Sequence, residues 1–371
     1  MPARRHTLPF YIGGFLGPFG GGVVAVLVPQ LRDAFDATTA GVALTIPAYL
    51  VPFAALQLVS GTLGERLGRR RVVRTAYIAY ALLSLAAAFA PNLETFIGIR
   101  ALQGSANAFL TPLLLAGLAD LVPPRQIGRA VGTFAAVQTA AIALSPLGGG
   151  ALGAIDWRFA FLSQVVVALA LAAVPPPDAK EREHPARLRA AFTRRVGLLS
   201  GAAFAGYAGV TGIGFLVAVE AADEFGLGSI MRGVLLAGFG VSGMLFGRAA
   251  GDAVDRFGRT PVIFAGIAIC SVLVAGLGFA PTAAVLGATW FAIGVGSALM
   301  WAGINVLTVE AVPGNRAGGT SVVSAFKFAG NAAAPLMWLP LYHADPRLGF
   351  LGAGILAAVA ALFIAPLRMA R

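Results

Sequence analysis

Residues 61–70 read GTLGERLGRR, and residues 251–259 read GDAVDRFGR. In both stretches a glycine is followed four residues later by an acid and an arginine, and then by a second glycine and another arginine. The two stretches lie 190 positions apart, and long apolar runs flank each of them. A polar loop repeated in this way indicates that the chain contains two related halves.

The apolar runs dominate the composition. Of the 371 residues, 58% are hydrophobic and 12% are charged, whereas soluble domains average about 25% charged residues. The mean hydropathy is +0.83. These values exclude a soluble globular enzyme and a disordered chain. They predict an all-α polytopic membrane protein, because backbone groups in lipid must be hydrogen-bonded within the spanning element.

Twelve apolar segments are long enough to cross a bilayer, for which a helix needs about 20 residues. The longest polar stretch lies between segments 6 and 7, and Pro146 in segment 5 has a counterpart in Pro335 of segment 11, 189 positions later. The sequence therefore predicts two parallel six-helix repeats, at 1–175 and 197–371, joined by a cytoplasmic linker at 176–196. The segments, numbered 1 to 12, are residues 8–30, 40–62, 72–90, 94–121, 128–153, 157–175, 197–220, 229–250, 260–280, 283–311, 317–341 and 348–367.

The basic residues predict the orientation of the chain. With the N-terminus inside, 21 of the 27 Lys and Arg residues fall in inner loops or termini and 4 in outer loops. Arg100 and Lys327 remain, and both lie within apolar segments. Because cytoplasmic loops are enriched in Lys and Arg, we expect both termini in the cytoplasm and the protein in the cell membrane. The net charge of +11 is then a topology signal, and no nucleic-acid partner is expected.

The repeated loop resembles the signature of the major facilitator superfamily, a family of transporters built from two parallel six-helix repeats. Its position between segments 2 and 3, its spacing and its duplication all agree with that signature. Segment 4 contains Arg100, Gln103 and Gly104, which resemble the Arg-x-x-Gln-Gly segment of the family. The resemblance covers the whole chain.

Segment 5 resembles the antiporter signature of the drug–proton exchange branch of this family. It contains Ser145-Pro146 followed by Gly149-Gly150. The chain departs from the pattern at Ala141 and Ser145, where the family has glycine. A proline inside a helix lacks one backbone donor, so we expect a bend here.

The resemblance also implies a gate on the cytoplasmic side. In relatives the loop holds the outward-facing state and pairs with an acid at the end of segment 4, for which Asp120 is the matching position. Glu65 stands where the family has aspartate and can pair with Arg69 or Arg70 near helix termini. The candidate gating residues are Gly61, Glu65, Arg66, Gly68, Arg69, Arg70, Asp120, Asp255, Arg256 and Arg259.

Polar residues inside the apolar segments are the candidates for substrate binding or coupling, because an ionisable group there is costly. On segment 4 the spacing i, i+3, i+7 places three polar residues on one face. The resemblance implies that segments 1, 4, 7 and 10 line a central cavity, which adds aromatic residues on segments 1 and 7. The candidates are Arg100, Gln103, Asn107, Trp301, Asn305, Lys327, Asn331, Tyr11, Phe15 and Tyr207.

The acids indicate the charge of the substrate. None of the sixteen Asp and Glu residues lies clearly at the centre of an apolar segment, whereas many cation exporters use a buried carboxylate. Glu94 and Glu220, at outer ends of segments, are weaker candidates for a proton site. A cavity containing Arg100 and Lys327 is electropositive, so we expect anionic or neutral substrates.

These features favour a secondary active transporter that exports a drug or metabolite by alternating access with a proton gradient as its energy source. An uptake symporter or uniporter for a sugar or organic anion remains an alternative, as does a non-transporting sensor or lipid-moving protein. No His-Glu-x-x-His motif and no Gly-Lys-Ser/Thr phosphate loop occurs, which disfavours an intramembrane enzyme and an ATP-driven pump. We expect a monomer with no cofactor and no metal, whose partners are a small-molecule substrate and the lipid bilayer.

Overall fold

The computed structural model describes residues 2–123, 127–175, 193–311 and 316–368. Every regular element in these ranges is a helix, which confirms the all-α class. The chain divides into two compact units, Met1–Pro185 and Ala186–Arg371. Most of the predicted linker, 176–192, lies outside the described residues, and its last residues from Arg194 onward already belong to a helix.

The first unit contains six helical segments that coincide with predicted segments 1 to 6. Segments 2 and 4 each consist of two consecutive helices. The bounds are Pro2–Ala34 for segment 1, Thr39–Ala43 and Thr45–Arg66 for segment 2, Arg69–Ala88 for segment 3, Leu93–Asn107 and Leu110–Leu121 for segment 4, Ile127–Ile155 for segment 5, and Arg158–Ala173 for segment 6.

The second unit contains the six segments predicted as 7 to 12. Three of them include a short 3-10 helix, in the middle of segment 7 and at the ends of segments 9 and 12. The bounds are Arg194–Gly209, Thr211–Ile213 and Gly214–Asp223 for segment 7, Ser229–Phe257 for segment 8, Arg259–Gly276 and Leu277–Phe279 for segment 9, Ala283–Ala311 for segment 10, Arg316–Ala344 for segment 11, and Pro346–Ile364 and Ala365–Arg368 for segment 12.

Within the described ranges, nine segments are by themselves long and apolar enough to cross a membrane. The apolar pair Ala140–Ile155 and Arg158–Ala173, in segments 5 and 6, bends by 120° at a short break. Segment 5 as a whole has 29 residues, about 43 Å at the rise of an α-helix, which is enough to cross a bilayer. These lengths and compositions are those of a multi-pass membrane protein.

Segment 7 differs from the single helix that its hydropathy predicts. Its helix stops at Gly209, and a 3-10 turn precedes the next helix. A Cβ atom on Gly209 would lie 2.6 Å from the carbonyl oxygen of Ala353, so segments 7 and 12 approach too closely here for any side chain. Hydropathy cannot detect this break because the residues on both sides of it are apolar.

The same pairs of segments pack together in both units. In the first unit, segment 1 packs on segment 5, segment 2 on segment 4, and segment 3 on segment 6. In the second unit, segment 7 packs on segment 11, segment 8 on segment 10, and segment 9 on segment 12. Adding six to each number of the first set gives the second set, which is the arrangement expected of two parallel repeats.

Candidate functional site

Arg100 lies at the centre of a buried polar network in the first unit. It is 0% exposed and shares one buried face of the helix Leu93–Asn107 with Gln103 and Asn107. Nη1 of Arg100 donates to Oε1 of Gln103 and, at 3.4 Å, to the carbonyl oxygen of Gly20 in segment 1. The spacing of the three residues therefore places their side chains inside the unit and away from its surface.

Gln103 links Arg100 to segments 3 and 6. Its Nε2 donates to Oγ of Ser84 at 2.7 Å, and Ser84 donates to the carbonyl oxygen of Tyr80 at 2.7 Å. The hydroxyl of Tyr80 donates to Oε1 of Gln164, also at 2.7 Å. Because Ser84 engages the amide nitrogen of Gln103, the amide oxygen is turned towards Arg100.

Tyr49 of segment 2 packs against the guanidinium of Arg100. The Arg100 Cζ lies 4.1 Å from the centroid of the Tyr49 ring, within the range of a cation–π contact. Nδ2 of Asn107 donates to the Tyr49 hydroxyl at 2.7 Å. Segment 2 comes this close because Gly104 has no side chain: a Cβ there would lie 2.0 Å from the Tyr49 carbonyl oxygen.

The Arg100 network contains no carboxylate. Among the described residues no ion pair involves Arg100, and its Nε and Nη2 have no hydrogen-bond partner. A buried cation without a counter-charge is costly, and unsatisfied donors add to that cost. An anionic or strongly accepting group that reached these donors would lower the free energy of the site.

Lys327 of segment 11 lies in a cluster of aromatic rings and an amide in the second unit. Its Nζ lies 4.4 Å from the ring centroid of Trp301 and donates to Oδ1 of Asn305 at 3.1 Å. Tyr207 of segment 7 lies 6.0 Å from the same Nζ and packs edge-on against Trp301 at 5.0 Å. Segments 7, 10 and 11 thus bring four of the predicted residues together.

The Lys327 cluster stabilises its cation with a ring face and an amide oxygen. Among the described residues Lys327 has no carboxylate partner. Lys327 is half-buried, and a cation–π contact that solvent reaches contributes about 1 kcal/mol. An ammonium group has three donors, and Asn305 accepts from one of them. The cluster can therefore donate to a carboxylate, phosphate or carbonyl oxygen of a ligand.

Each unit has one ion pair at an equivalent position. In the first unit, Nη2 of Arg69 lies 2.7 Å from Oδ2 of Asp120. In the second, Nη2 of Arg259 lies 2.5 Å from Oε1 of Glu310. Both residues of the second pair follow those of the first by 190 positions. Arg69 is 1% exposed and Arg259 is 37% exposed, so the first pair is the more buried.

A glycine with positive φ precedes the arginine of each pair. The φ angle is 92° at Gly68 and 85° at Gly258, a conformation that residues with a side chain rarely adopt. Each glycine caps the N-terminus of the following helix, which begins with Arg69 or Arg259. The turn therefore places the arginine at the first position of segment 3 or segment 9.

A sequence model described as the Major Facilitator Superfamily matches residues 10–246 and 199–371 of the chain. The chain belongs to the Major Facilitator Superfamily. The two polar sites and the two ion pairs therefore belong to a multi-pass membrane protein of this superfamily.

The chain is also similar to curated proteins of the superfamily. It is 33% identical over 165 residues to the multidrug efflux pump LfrA of Mycolicibacterium smegmatis, which covers 44% of this chain and 33% of LfrA. It is 34% identical over 168 residues to a multidrug resistance protein B homolog of Mycobacterium tuberculosis, with 44% and 30% covered. It is 32% identical over 166 residues to the puromycin resistance protein pur8 of Streptomyces alboniger, with 40% and 33% covered. The chain thus spans about a third of the length of these relatives.

Solved structures of superfamily transporters have the same fold. A bacterial homolog of the human lysosomal transporter Spinster has a TM-score of 0.79 at 16% identity, with 100% of this chain and 98% of that chain covered. A D-xylose-proton symporter has a TM-score of 0.79 at 18% identity, with 96% of each chain covered. At these identities the similarity shows the fold alone, and it confirms the predicted fold class.

The other residues of the superfamily loop motif lie at the ends of segments 2, 3 and 8. Gly61 and Glu65 belong to the helix Thr45–Arg66, but the exposure and side-chain contacts at these two positions lie outside what the structure describes, so the predicted pairing of Glu65 is not tested. The exposed members of the motif are Arg66, Arg70, Asp255 and Arg256.

The residues of the antiporter-like pattern pack segment 5 against segment 1 within the first unit. The helix Ile127–Ile155 runs through Pro146 without interruption. Ser145 and Gly150 are buried. A Cβ on Gly149 would lie 2.6 Å from Cγ2 of Val23, so segment 1 fits closely against this glycine.

Three of the predicted site residues lie apart from the two polar clusters. Phe15 stacks on Phe19 with ring centroids 5.5 Å apart, and Tyr11 is half-buried. Neither ring contacts Arg100 among the contacts between described residues. Asn331 follows Lys327 by one helical turn, and its Oδ1 lies 3.0 Å from the position of a Cβ on Gly212, at the break of segment 7.

Sequence reasoning missed several residues of these sites, among them Glu310, Tyr49 and Tyr80. Glu310 had a usable signal, because adding the repeat offset of 190 to Asp120 gives its position. Tyr49 and Tyr80 had none, because they lie in segments 2 and 3, which the resemblance does not place along the cavity. Only the packing of segments 2, 3 and 4 brings them to Arg100 and its network.

Proposed function

We propose that the chain is a proton-coupled efflux transporter for small drugs or metabolites that works by alternating access. Membership of the superfamily and similarity to proteins named multidrug efflux pump and puromycin resistance protein support efflux. The Ser-Pro-x-x-Gly-Gly pattern of segment 5, with its resemblance to an antiporter signature, supports the same direction.

The Lys327 cluster is the observation that carries the proposal for the substrate class. Its ammonium group is held by Trp301 and Asn305, with no acid among the described residues to neutralise it. Arg100 presents the same chemistry in the first unit, with two donors that lack partners. Such donors bind carboxylate and carbonyl oxygens and repel organic cations. The transported molecules are therefore anionic or neutral.

The ion pairs Arg69–Asp120 and Arg259–Glu310 act as latches at the cytoplasmic ends of their units. This role rests on the orientation predicted from the basic loops, with both termini in the cytoplasm and the protein in the cell membrane. The transporter works as a monomer in the lipid bilayer, needs no cofactor besides the proton gradient, and binds its small-molecule substrate but no nucleic acid.

Uptake of a sugar or organic anion is the second candidate. The fold similarity to a D-xylose-proton symporter is compatible with it. The two candidates differ in the direction of proton movement. When substrate enters a vesicle, protons enter with it in symport, whereas protons leave the vesicle in antiport. A sensor or lipid-moving protein differs from both, because it catalyses no counterflow of a small solute.

The test uses the purified protein in liposomes that contain a pH dye. Three compounds with one aromatic skeleton are compared, an aromatic carboxylate, its carboxamide and the corresponding ammonium compound. We expect the carboxylate and the carboxamide, but not the ammonium compound, to drive antiport of protons. Lys327→Ala should abolish this response to the carboxylate, because it removes the cationic donor.

Arg347→Ala is the matched control, since Arg347 is an exposed cation of the same unit. It should leave transport unchanged. The proposed substrate class would be contradicted if the ammonium compound were transported as fast as the carboxylate and if Lys327→Ala kept that transport. Substrate flux without proton movement would contradict proton coupling, and protons moving with the substrate would establish the symporter instead.

A further inference from the structure

Glu220 is a buried acid at one end of segment 7 that the sites described above do not include. It lies in the last turn of the helix Gly214–Asp223 and is 8% exposed. The hydroxyl of Tyr342 in segment 11 donates to its Oε2 at 2.5 Å. Tyr342 is itself 8% exposed and packs edge-on against the ring of Phe350 in segment 12. Segments 7, 11 and 12 thus enclose one carboxyl group and one phenol.

No cation is paired with this carboxyl group among the described residues. Asp223 and Glu224 follow it on the same segment and are exposed acids. Arg232 in segment 8 donates to the carbonyl oxygen of Leu227 at 2.9 Å. The remaining titratable or charged groups next to Tyr342, on segments 11 and 12, are His343, Asp345 and Arg347, all on exposed or half-buried positions.

The equivalent position in the first unit carries no acid. The residue 190 positions before Glu220 is Gln30, which is close to a carboxyl group in shape and cannot ionise. The repeat therefore tolerates a neutral side chain at this place. The acid is a property of the second unit, and a difference of this kind between repeats points to function more than to packing.

A buried carboxyl group couples proton binding to its surroundings. The solvation free energy of a carboxylate depends strongly on its environment, whereas that of the neutral acid depends on it weakly. Gain or loss of a proton at an exposed acid such as Glu224 has little structural consequence. At an enclosed acid it changes which arrangement of the surrounding helices is the more stable. This is the property that a transporter needs to link a proton gradient to its cycle.

We infer that Glu220, held by Tyr342, is a proton-binding site through which the second unit couples the proton gradient to transport. The proton adds to one carboxylate oxygen of Glu220 and forms a neutral carboxyl group. The phenol of Tyr342 keeps its own proton in both states. Release of the bound proton restores the negative charge, and no other bond changes. The inference rests on the proposed proton coupling and deepens it by naming the group.

The experiment compares Glu220→Gln with Glu224→Gln in proteoliposomes. Three rates are measured for the aromatic carboxylate: accumulation driven by a pH gradient, the accompanying movement of protons, and counterflow of labelled for unlabelled substrate without a gradient. Glu220→Gln should lose gradient-driven accumulation and proton movement and should keep counterflow. Glu224→Gln should keep all three activities.

The outcomes separate this inference from the proposed function. If the wild-type protein moves no protons, proton coupling fails and the inference fails with it. If the wild type is coupled and Glu220→Gln still accumulates substrate with a pH gradient, only the inference is overturned. If Glu220→Gln also loses counterflow, Tyr342→Phe decides, because it keeps the acid and removes the hydrogen bond. A displaced pH profile of transport in Tyr342→Phe supports the inference, and an unchanged profile overturns it.

Discussion

Equivalent positions in the two units hold different chemistry. In the first unit the guanidinium of Arg100 lies 4.1 Å from the ring of Tyr49. The residues 190 positions later are Trp290 and Phe239, whose rings stack at 4.9 Å. The cation–π contact of the first unit is thus replaced by an aromatic stacking contact in the second. The cation–π contact of the second unit lies elsewhere, at the half-buried Lys327.

The backbone packing under these side chains is the same in both units. A Cβ on Gly104 would lie 2.0 Å from the carbonyl oxygen of Tyr49, and a Cβ on Gly294 would lie 2.3 Å from that of Phe239. Segment 4 crosses segment 2 as segment 10 crosses segment 8, through a glycine at the matching position. The repeat therefore preserves the contacts between helices, while the polar side chains on them have diverged.

The largest loss of stability is expected at the glycine crossings, where the two units have the same packing. Gly104→Val and Gly294→Val should each prevent folding or destabilise the protein by about 3 kcal/mol or more, because the clash is with backbone and cannot be relieved by a rotamer. The yield of monodisperse protein and its thermal unfolding in detergent measure this. Gly98→Ala is the control, since a Cβ at Gly98 would meet nothing within 4 Å. Normal folding of one valine variant only would show that the two crossings are not equivalent.

The second largest effect, on transport, is expected at Arg100, where the two units have different side chains. Arg100→Met should reduce transport of an anionic substrate on the order of 100-fold, about 2.7 kcal/mol, without loss of folded protein. Arg100→Lys should not restore it, because an ammonium group cannot reproduce the contact of the guanidinium with the Tyr49 ring together with the hydrogen bond to Gln103. Initial rates in liposomes measure both variants.

Trp290→Phe is the matching variant of the second unit. It keeps a smaller ring against Phe239 and removes the hydrogen bond from Trp290 Nε1 to the carbonyl oxygen of Leu236, 3.2 Å long. Transport should stay within about threefold of wild type, because less than 1 kcal/mol separates such rates. A loss as large as that of Arg100→Met would mean that the position matters in both units whatever its chemistry.

The architecture was largely predictable from the sequence. Hydropathy gave twelve segments that coincide with helices in the described ranges, and the repeated loop gave the two units. The spacing of Arg100, Gln103 and Asn107 predicted their common face, because helical periodicity is a local property. Such features depend on residues close in the chain, so a single sequence contains the information.

The candidate sites were predictable only in part. Lys327 and Trp301 were identified one by one, but the contact of Lys327 with Trp301 and Tyr207 depends on how segments 7, 10 and 11 pack. Tyr49 was not identified, because its contact with Arg100 exists only through the close crossing at Gly104. The burial of Glu220 was likewise missed, since an acid at the end of an apolar segment is expected to lie exposed at the membrane boundary.

The two ion pairs should differ in how much they stabilise the protein. Arg69 and Asp120 are 1% and 21% exposed, whereas Arg259 and Glu310 are both 37% exposed. Removing one partner of the more buried pair should cost about 2–3 kcal/mol, because the remaining charge loses this ion pair in a poorly solvated position. The more exposed pair should contribute at most about 1 kcal/mol.

Double-mutant cycles of alanine variants, read by thermal unfolding, give the coupling energy of each pair. A larger coupling in the second unit than in the first would contradict this ranking. It would also show that solvent exposure does not decide how strongly the two ion pairs stabilise their units.

The smallest effects are expected at another divergent position. Tyr80 donates to Gln164 in the first unit, and the residues 190 positions later are Cys270 and Gly354, which form no hydrogen bond with each other. Tyr80→Phe should destabilise the protein by about 2 kcal/mol, because it leaves the buried amide oxygen of Gln164 without a donor. Cys270→Ala should cost at most about 1 kcal/mol, since the buried thiol is small and is only a weak donor to the carbonyl oxygen of Ile293, at 3.6 Å.

Thermal unfolding of the two single variants measures these costs, and Tyr80→Phe with Gln164→Leu tests the cause. The double variant removes both polar partners, so it should be less destabilised than Tyr80→Phe alone. Additive losses would mean that Tyr80 and Gln164 contribute through their volume. The first unit would then differ from the second in the size of its core side chains. Its hydrogen-bonded network would position Arg100 without adding to the stability of the fold.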